Sequence, residues 1–340
     1  MSFISTHSRG ARATLAALAA TGLLALTACG SGSPSGAEGD DAASGGGGAD
    51  SGELTQVTVG VLPIAPSIGV KYGIEQGIFE EHGLDVEIST SNAGAAMLPA
   101  VTSGQLDFGV GNPLSVLTAV DQGLDMRIVA GYSNSLGEGD DIAGVVTLAD
   151  SDIESYADLE GKTTSVNALR TLGDLTIMAD AEEEGADPTS LNFSEMPFPD
   201  MQAQLEAGNT DAIWVPEPFL SNALAEETNR LVGYSFQDAI PGMPTMVTFT
   251  SGSFAEENPE VAEAFAAAMQ ESLAGVEADQ EGARELLPDF IEISPEAAQN
   301  LRMERLDGEI PKDEISQISE LAVRYEFIGA APADDDLYID

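Results

Sequence analysis

Cysteine is almost missing from this chain: among 340 residues only Cys29 carries a thiol. No disulfide can form within one chain, so packing alone must hold the fold. Histidine is nearly as scarce, with His7 and His82 the two present. A Cys/His metal cluster is excluded on those numbers. A Ser-His-Asp triad is no easier to build, because His82 sits in Glu80-Glu81-His82-Gly83, which reads as a helix C-terminus where a cation is favourable. No Gly-rich phosphate loop of the P-loop type occurs. We therefore expect no metal, no cofactor and no enzyme. Basic residues are also few, 12 against 58 acidic ones, for a net charge of −46. Such a surface repels nucleic acid and anionic lipid. The acids are spread along the chain, which suits solubility or a saline exterior better than a functional acidic patch for cationic ligands. Only one apolar run stands out, Thr14–Leu26, and it is shorter than the about 20 residues a membrane span needs.

What is present begins with that run. Arg9 and Arg12 precede it and Leu26-Thr27-Ala28-Cys29 ends it, the n-region, h-region and small-residue cleavage pattern of an export signal. The ending resembles a bacterial lipobox. That resemblance implies cleavage after residue 28, a lipid on Cys29, and an extracytoplasmic protein anchored to the outer face of the cell membrane. Residues 29–53 are rich in Gly, Ser, Ala and Asp and include Gly45-Gly46-Gly47-Gly48. Such a tether reaches roughly 25 Å as a random coil.

From Leu54 on, short β-rich runs alternate with helical stretches. Strands are expected at 57–62, 84–89, 106–110 and 126–132. Helices are expected at 67–82, where Ile68, Tyr72, Ile74, Ile78 and Phe79 recur at helical spacing, and at 95–104 and 113–122. A second series follows: strands at 144–148, 163–166, 193–196, 211–215 and 231–235, with helices at 173–184 and 201–207. After Pro259 the pattern turns helical, with Val261, Phe265, Met269, Leu273 and Val276 on one face, and later Ile315, Ile318, Leu321, Ala322 and Tyr325. Two α/β series and a helical tail predict two lobes, each a mostly parallel sheet flanked by helices, with a ligand cleft between them. The expected division is lobe 1 in 54–143, lobe 2 in 144–240, and a return to lobe 1 in 241–340, with crossovers near Gly144 and over 241–248. Ligands in such sheets bind beyond the carboxyl ends of strands, at helix N-termini.

The segments Lys71–Val86, Ser103–Gly111, Asp158–Lys162 and Gly208–Phe219 occur in the order, and with the sequences, of a known group. Together they resemble the substrate-binding proteins of ABC importers that serve sulfonates, nitrate, taurine and thiamine precursors. The resemblance runs from Thr55 to Phe327. It implies a two-lobed type II periplasmic-binding-protein fold, a monomer that closes on its ligand and delivers it to an ABC permease and its ATPase. Yeast-type pyrimidine synthases share this fold, but their cysteine-rich motif is absent here. The favoured solute is a small organic anion or zwitterion of the sulfonate, taurine or nitrate type. The alternatives are a thiamine-precursor pyrimidine or other aromatic heterocycle, or a ligand-sensing module.

Candidate ligand-binding residues follow the predicted strands. Ser67 opens the first helix and either caps it or faces ligand. Ser91, Asn92 and Gly94 form a small loop whose amides can approach a polar group. Asn112 precedes Pro113 as an N-cap, and Ser133 and Asn134 end the fourth strand. In the second lobe the family resemblance implies that Asn167, Arg170 and Thr171 present helix N-terminal amides. Arg170 is the one cation near a predicted site and suits a sulfonate or carboxylate. Trp214 either stacks on ligand or fills core. Glu217 in the cleft would favour an amine, and Met243 lies at the hinge return.

Overall fold

A computed structural model describes Leu54–Ile339, so the signal, Cys29 and the tether lie outside the described residues. The first strands are β1 (Thr55–Val61), β2 (Leu84–Thr90), β3 (Phe108–Gly111) and β4 (Met126–Asn134). The chain then crosses into a second sheet made of β5 (Ala143–Leu148), β6 (Thr163–Val166), β7 (Asn192–Glu195), β8 (Ala212–Pro216) and β9 (Asn229–Gly233). It returns as β10 (Pro244–Ser251) and β11 (Arg305–Leu306). The first sheet has six strands in the order β11-β4-β10-β3-β1-β2, and the second has five in the order β7-β6-β8-β5-β9.

Strand formation follows side-chain chemistry. In β1, Val57, Val59 and Val61 are β-branched and buried, and they pair in parallel register with β2, Val57 opposite Val86 and Val59 opposite Ile88. Helices cover the sheets. The helix Pro259–Ala278 packs on Ile68–Glu75, where the Ser272 hydroxyl donates to the Gly69 carbonyl at 2.6 Å. The heart of lobe 1 is aromatic: Phe108 stacks on Phe265 at 4.0 Å between centroids, and Phe265 in turn on Phe79 at 5.5 Å.

The sheets are mixed, which refines the mostly parallel expectation. β1 pairs in parallel with β2 and β3, but β10 is antiparallel to both β3 and β4. Likewise β6 is parallel to β7 and β8, while β5 is antiparallel to β8 and β9. The antiparallel strands β5 and β10 are those that bring the chain across from the other sheet. A strand entering from the cleft side must run against strands that end there. The crossing near 241–248 is accordingly shorter than expected, because all eight residues of β10 are buried strand.

Two further expectations change. The helix expected at 67–82 breaks into Ile68–Glu75 and Ile78–Glu81, because Gly77 adopts φ of 73° between them. The strand expected at 231–235 is shifted to Asn229–Gly233, and Ser235 instead opens a short helix. His82 caps Ile78–Glu81, its Nε2 lying 3.0 Å from Glu271.

One buried acid has a measurable consequence. Asp180 lies on the inner face of the helix Leu172–Glu183, and its Oδ2 finds no hydrogen-bond partner among the described residues. Burial, with the nearby charges of Asp238, Glu183 and Glu184, pushes its pKa up to about 9. The folded value thus exceeds the unfolded one of about 3.9. Its protonated form favours the fold below that lower value, and the benefit disappears as pH rises through about 9. Asp180→Asn should therefore raise the melting temperature at pH 8 by a few degrees, about 1–2 kcal/mol, and by much less at pH 4. Thermal melts of both forms across that range check it; an equal gain at both pH values contradicts the assignment.

Candidate functional site

The loops that follow β1, β2 and β3 in one sheet meet those that follow β6, β7 and β9 in the other. Between them lies a cavity of about 50 Å³. Lobe 1 supplies Leu62, Ile64, Gly94 and Asn112, together with Thr245, Met246 and Glu304 of the returning chain. Lobe 2 supplies Asn167, Thr171, Leu172 and Gly173, with the aromatic rings of Phe198, Trp214 and Phe236. The volume is well below the roughly 300–1,000 Å³ of ordinary ligand pockets. A solute of ordinary size does not fit a cavity of this volume.

Close approach at this point depends on glycine. A Cβ on Gly111 would stand 2.9 Å from the Gly94 Cα, so the loops after β2 and β3 touch backbone to backbone. A Cβ on Gly173 would stand 2.9 Å from the Trp214 indole. The indole itself is 5 % exposed, donates from Nε1 to Ser235 Oγ at 3.1 Å, and lies 5.2 Å from the Phe236 ring. Trp214 therefore fills core and forms the cavity wall at once.

Five sequence-predicted residues line the cavity: Gly94, Asn112, Asn167, Thr171 and Trp214. Asn112 spends its side chain as a cap, Oδ1 accepting from the Ser115 amide at 2.8 Å. Asn167 reaches across the cleft, Nδ2 donating to the Asn92 carbonyl at 3.5 Å. Asn92 contributes that carbonyl from an exposed position, and the Ser91 hydroxyl turns back to the Ala93 carbonyl.

The other residues are placed elsewhere. Ser67 is fully buried, and its hydroxyl neither caps its helix nor finds another partner among the described residues. Asn134 borders a wider groove of about 720 Å³ with Arg305, Asp307 and Lys312. Met243 is buried at the hinge, its carbonyl accepting from the Ser135 amide at 2.8 Å. Glu217 is 1 % exposed and accepts from the Ser221 amide and hydroxyl at 3.1 and 2.7 Å, tying down the helix Phe219–Ala225 rather than facing the cavity. Burial raises its pKa, while the Ser221 hydrogen bonds and Arg302 at 3.9 Å act the other way.

Arg170 departs furthest from expectation. Its backbone is left-handed, φ 59°, and its guanidinium donates to the Glu326 and Phe327 carbonyls at 2.6 and 2.8 Å. It also lies 4.9 Å from the centre of the Phe327 ring. These carbonyls follow the helix Lys312–Arg324, where a cation complements the dipole. That helical segment adjoins lobe 1, since the Gly329 amide donates to Asp121 at 3.0 Å. Arg170 is thus a latch from lobe 2 to the C-terminal segment. Tyr325 adds a second, donating to Glu182 at 2.6 Å.

The two amides that lead into the helix Leu172–Glu183 are also engaged. Asp174 accepts from the Arg170 and Thr171 amides at 2.6 and 2.7 Å, so the chain's own carboxylate already sits on this N-terminus. Burial nevertheless raises Asp174 to about pKa 6 against those hydrogen bonds.

The residue that sequence reasoning missed is Glu304. It is 5 % exposed, accepts from the Thr245 hydroxyl at 2.5 Å, and Thr245 is 2.8 Å from the Ser133 hydroxyl. Burial pushes its pKa up to about 7. Phe198 and Phe236 were missed as well, because an apolar residue at a loop end reads as ordinary core. Among the described residues no group of three or more His, Cys, Asp or Glu side chains could hold a metal ion, and no helix is long and apolar enough to cross a membrane.

Comparison with known proteins gives concordant findings. The family model described as NMT1/THI5 like matches residues 65–283. A curated protein of Brachyspira hyodysenteriae, named as an ABC transporter periplasmic binding protein, is 27 % identical over 196 residues, 53 % of this chain and 54 % of that protein. The match thus spans about half of that relative's length. The alkanesulfonate-binding protein of Xanthomonas axonopodis pv. citri, solved with MOPS, superposes with a TM-score of 0.70 at 14 % identity, over 85 % of this chain and 99 % of that one. The nitrate-binding protein of Synechocystis PCC 6803 gives 0.67 at 14 % identity, over 84 % of both chains. At these identities the two structures share the periplasmic-binding-protein fold with this chain, and their ligands are their own.

Proposed function

This chain belongs to the NMT1/THI5 like family, and on that premise we propose that it is an extracytoplasmic solute-binding protein of an ABC importer. It binds rather than catalyses. The observation that carries the reading is a cavity walled by post-strand loops of both sheets, the position where ligands sit in open α/β sheets. Solute enters between parted lobes and is held when they close, and the closed form is handed to a permease with its ATPase. A lipid on Cys29 and the 29–53 tether would keep the lobes near the outer face of the membrane, clear of its surface. A ligand-sensing module is the competing role. Isolation with a permease supports the importer, and isolation with a membrane kinase supports the sensor.

The lining favours a small, flat heterocycle over a sulfonate or nitrate. Three aromatic rings face the cavity, and no Lys, Arg or His side chain is among its lining residues. The Arg170 and Thr171 amides expected to meet an anion are taken by Asp174. The thiamine-precursor type of ligand therefore suits the site better than the organic anion first favoured.

Lobe closure makes a prediction about Arg170. Arg170→Ala should weaken binding about two- to fivefold, because the latch is exposed and screened, without changing which solutes are preferred. Small-angle scattering should show a larger radius of gyration for the ligand-free variant. A changed order of solute preference would return Arg170 to the binding site.

A further inference from the structure

We propose that Glu304 makes the cavity selective for a solute carrying an ammonium or amidinium-type N–H donor, which names a charge class for the site; the inference rests on the solute-binding reading above. The role expected of Glu217 passes to a different carboxylate. Glu304 lines the cavity and is almost wholly buried, yet its hydrogen-bond partner is a hydroxyl, Thr245 at 2.5 Å, backed by Ser133. Among the described residues it has no ion-pair partner. The nearest cations in sequence are committed elsewhere. Arg302 pairs with Asp140 at 3.1 Å, approaches Glu217 at 3.9 Å and faces the Tyr234 ring at 5.8 Å, and Arg305 pairs with Asp307 at 2.9 Å.

The other titratable groups around Glu304 add no positive charge. Asp141, on the segment crossing between the lobes, is fully buried, raises the Glu304 pKa by its own charge, and leaves Oδ2 without a hydrogen-bond partner among the described residues. The Tyr132 hydroxyl, from β4, donates to the Pro66 carbonyl at 3.0 Å, and burial and the Glu304 charge keep it protonated. A buried carboxylate without a cation is costly, so it either holds a proton or meets a charge brought from outside. With a pKa raised to about 7, Glu304 stands between those two states near neutrality. A cationic solute selects the carboxylate and expels the proton. The rings of Phe198, Trp214 and Phe236 then face a group whose positive charge they also attract.

Three probes with one ring separate charge from shape: benzylamine, benzyl alcohol and benzenesulfonate. Titration calorimetry of the wild-type protein at pH 8 should place benzylamine at least about tenfold ahead of the other two. That advantage should shrink as pH falls from 8 to 5.5, with a proton released on binding that shows as a dependence on buffer ionisation heat. Glu304→Gln should erase the amine's lead over the alcohol and the proton release with it. The wild-type pH series tests the inference on its own should that variant fold poorly. A lead for benzenesulfonate, an amine lead that survives in Glu304→Gln, or binding of none of the three overturns the charge assignment. The solute-binding reading falls separately, only if no small molecule of any class binds.

Discussion

Phe108→Ala is expected to cost about 3–5 kcal/mol, a large part of the about 5–15 kcal/mol that holds an ordinary domain together. Phe108 is fully buried in β3, at the middle of the first sheet. Its ring lies 4.0 Å from Phe265 in a near-parallel stack and 5.3 Å from Phe254 edge to face. Truncation removes both contacts and opens a cavity between the sheet and the helix Pro259–Ala278, two well-anchored elements that cannot collapse to fill it. The melting temperature should fall by roughly 2–4 °C for each kcal/mol lost. Denaturant unfolding of both forms measures this directly. A loss below about 1 kcal/mol would mean that the aromatic stack does not organise lobe 1.

The second large effect is on binding. Gly173→Val should weaken any solute at least about a hundredfold. Gly173 lines the cavity where a Cβ would already stand 2.9 Å from the Trp214 indole. Two further methyls drive the ring toward the small cavity proposed to hold the solute. The indole has little room to retreat, since Phe198 and Phe236 pack on it at 6.0 and 5.2 Å. Overpacking of this kind also costs about 1–3 kcal/mol of stability, so the variant should remain folded at room temperature. Calorimetric titration with a solute that binds the wild type decides the matter. Unchanged affinity in a folded variant would move the binding site away from this cavity.

Much of the architecture can be read from the chain because its strands obey local rules. Val57, Val59 and Val61 alternate as a strand demands, and the Val261–Val276 stripe repeats as a helix demands. β10 was harder to see. Its start, Gly242-Met243-Pro244, carries turn residues, and the run after it lies where a crossover is expected. Only pairing with β3 and β4, distant in sequence, makes it a central strand.

The site divides in the same way. Gly94, Asn112 and Thr171 were legible because they follow strands, and position relative to a strand end is a local property. Glu304 was not, because Arg302-Met303-Glu304-Arg305 looks like a solvated charged run. Its burial arises against β10, distant in sequence, whose Thr245 hydroxyl bonds it. Arg170 misled for the opposite reason. A cation next to a predicted cleft suggests an anion ligand, but the left-handed turn at that residue carries the side chain to the C-terminal segment.

Trp214 is the only tryptophan in the chain, and it walls the cavity. Its fluorescence therefore reports directly on whether small molecules occupy this site. The decisive measurement is a fluorescence titration of the purified protein with pyrimidines, aromatic amines, sulfonates, taurine, nitrate, amino acids and sugars. A saturable change with at least one flat heterocycle or amine, absent in Gly173→Val, is the predicted result. A folded protein whose Trp214 emission responds to nothing in that series would contradict the account of this cavity as a solute-binding site.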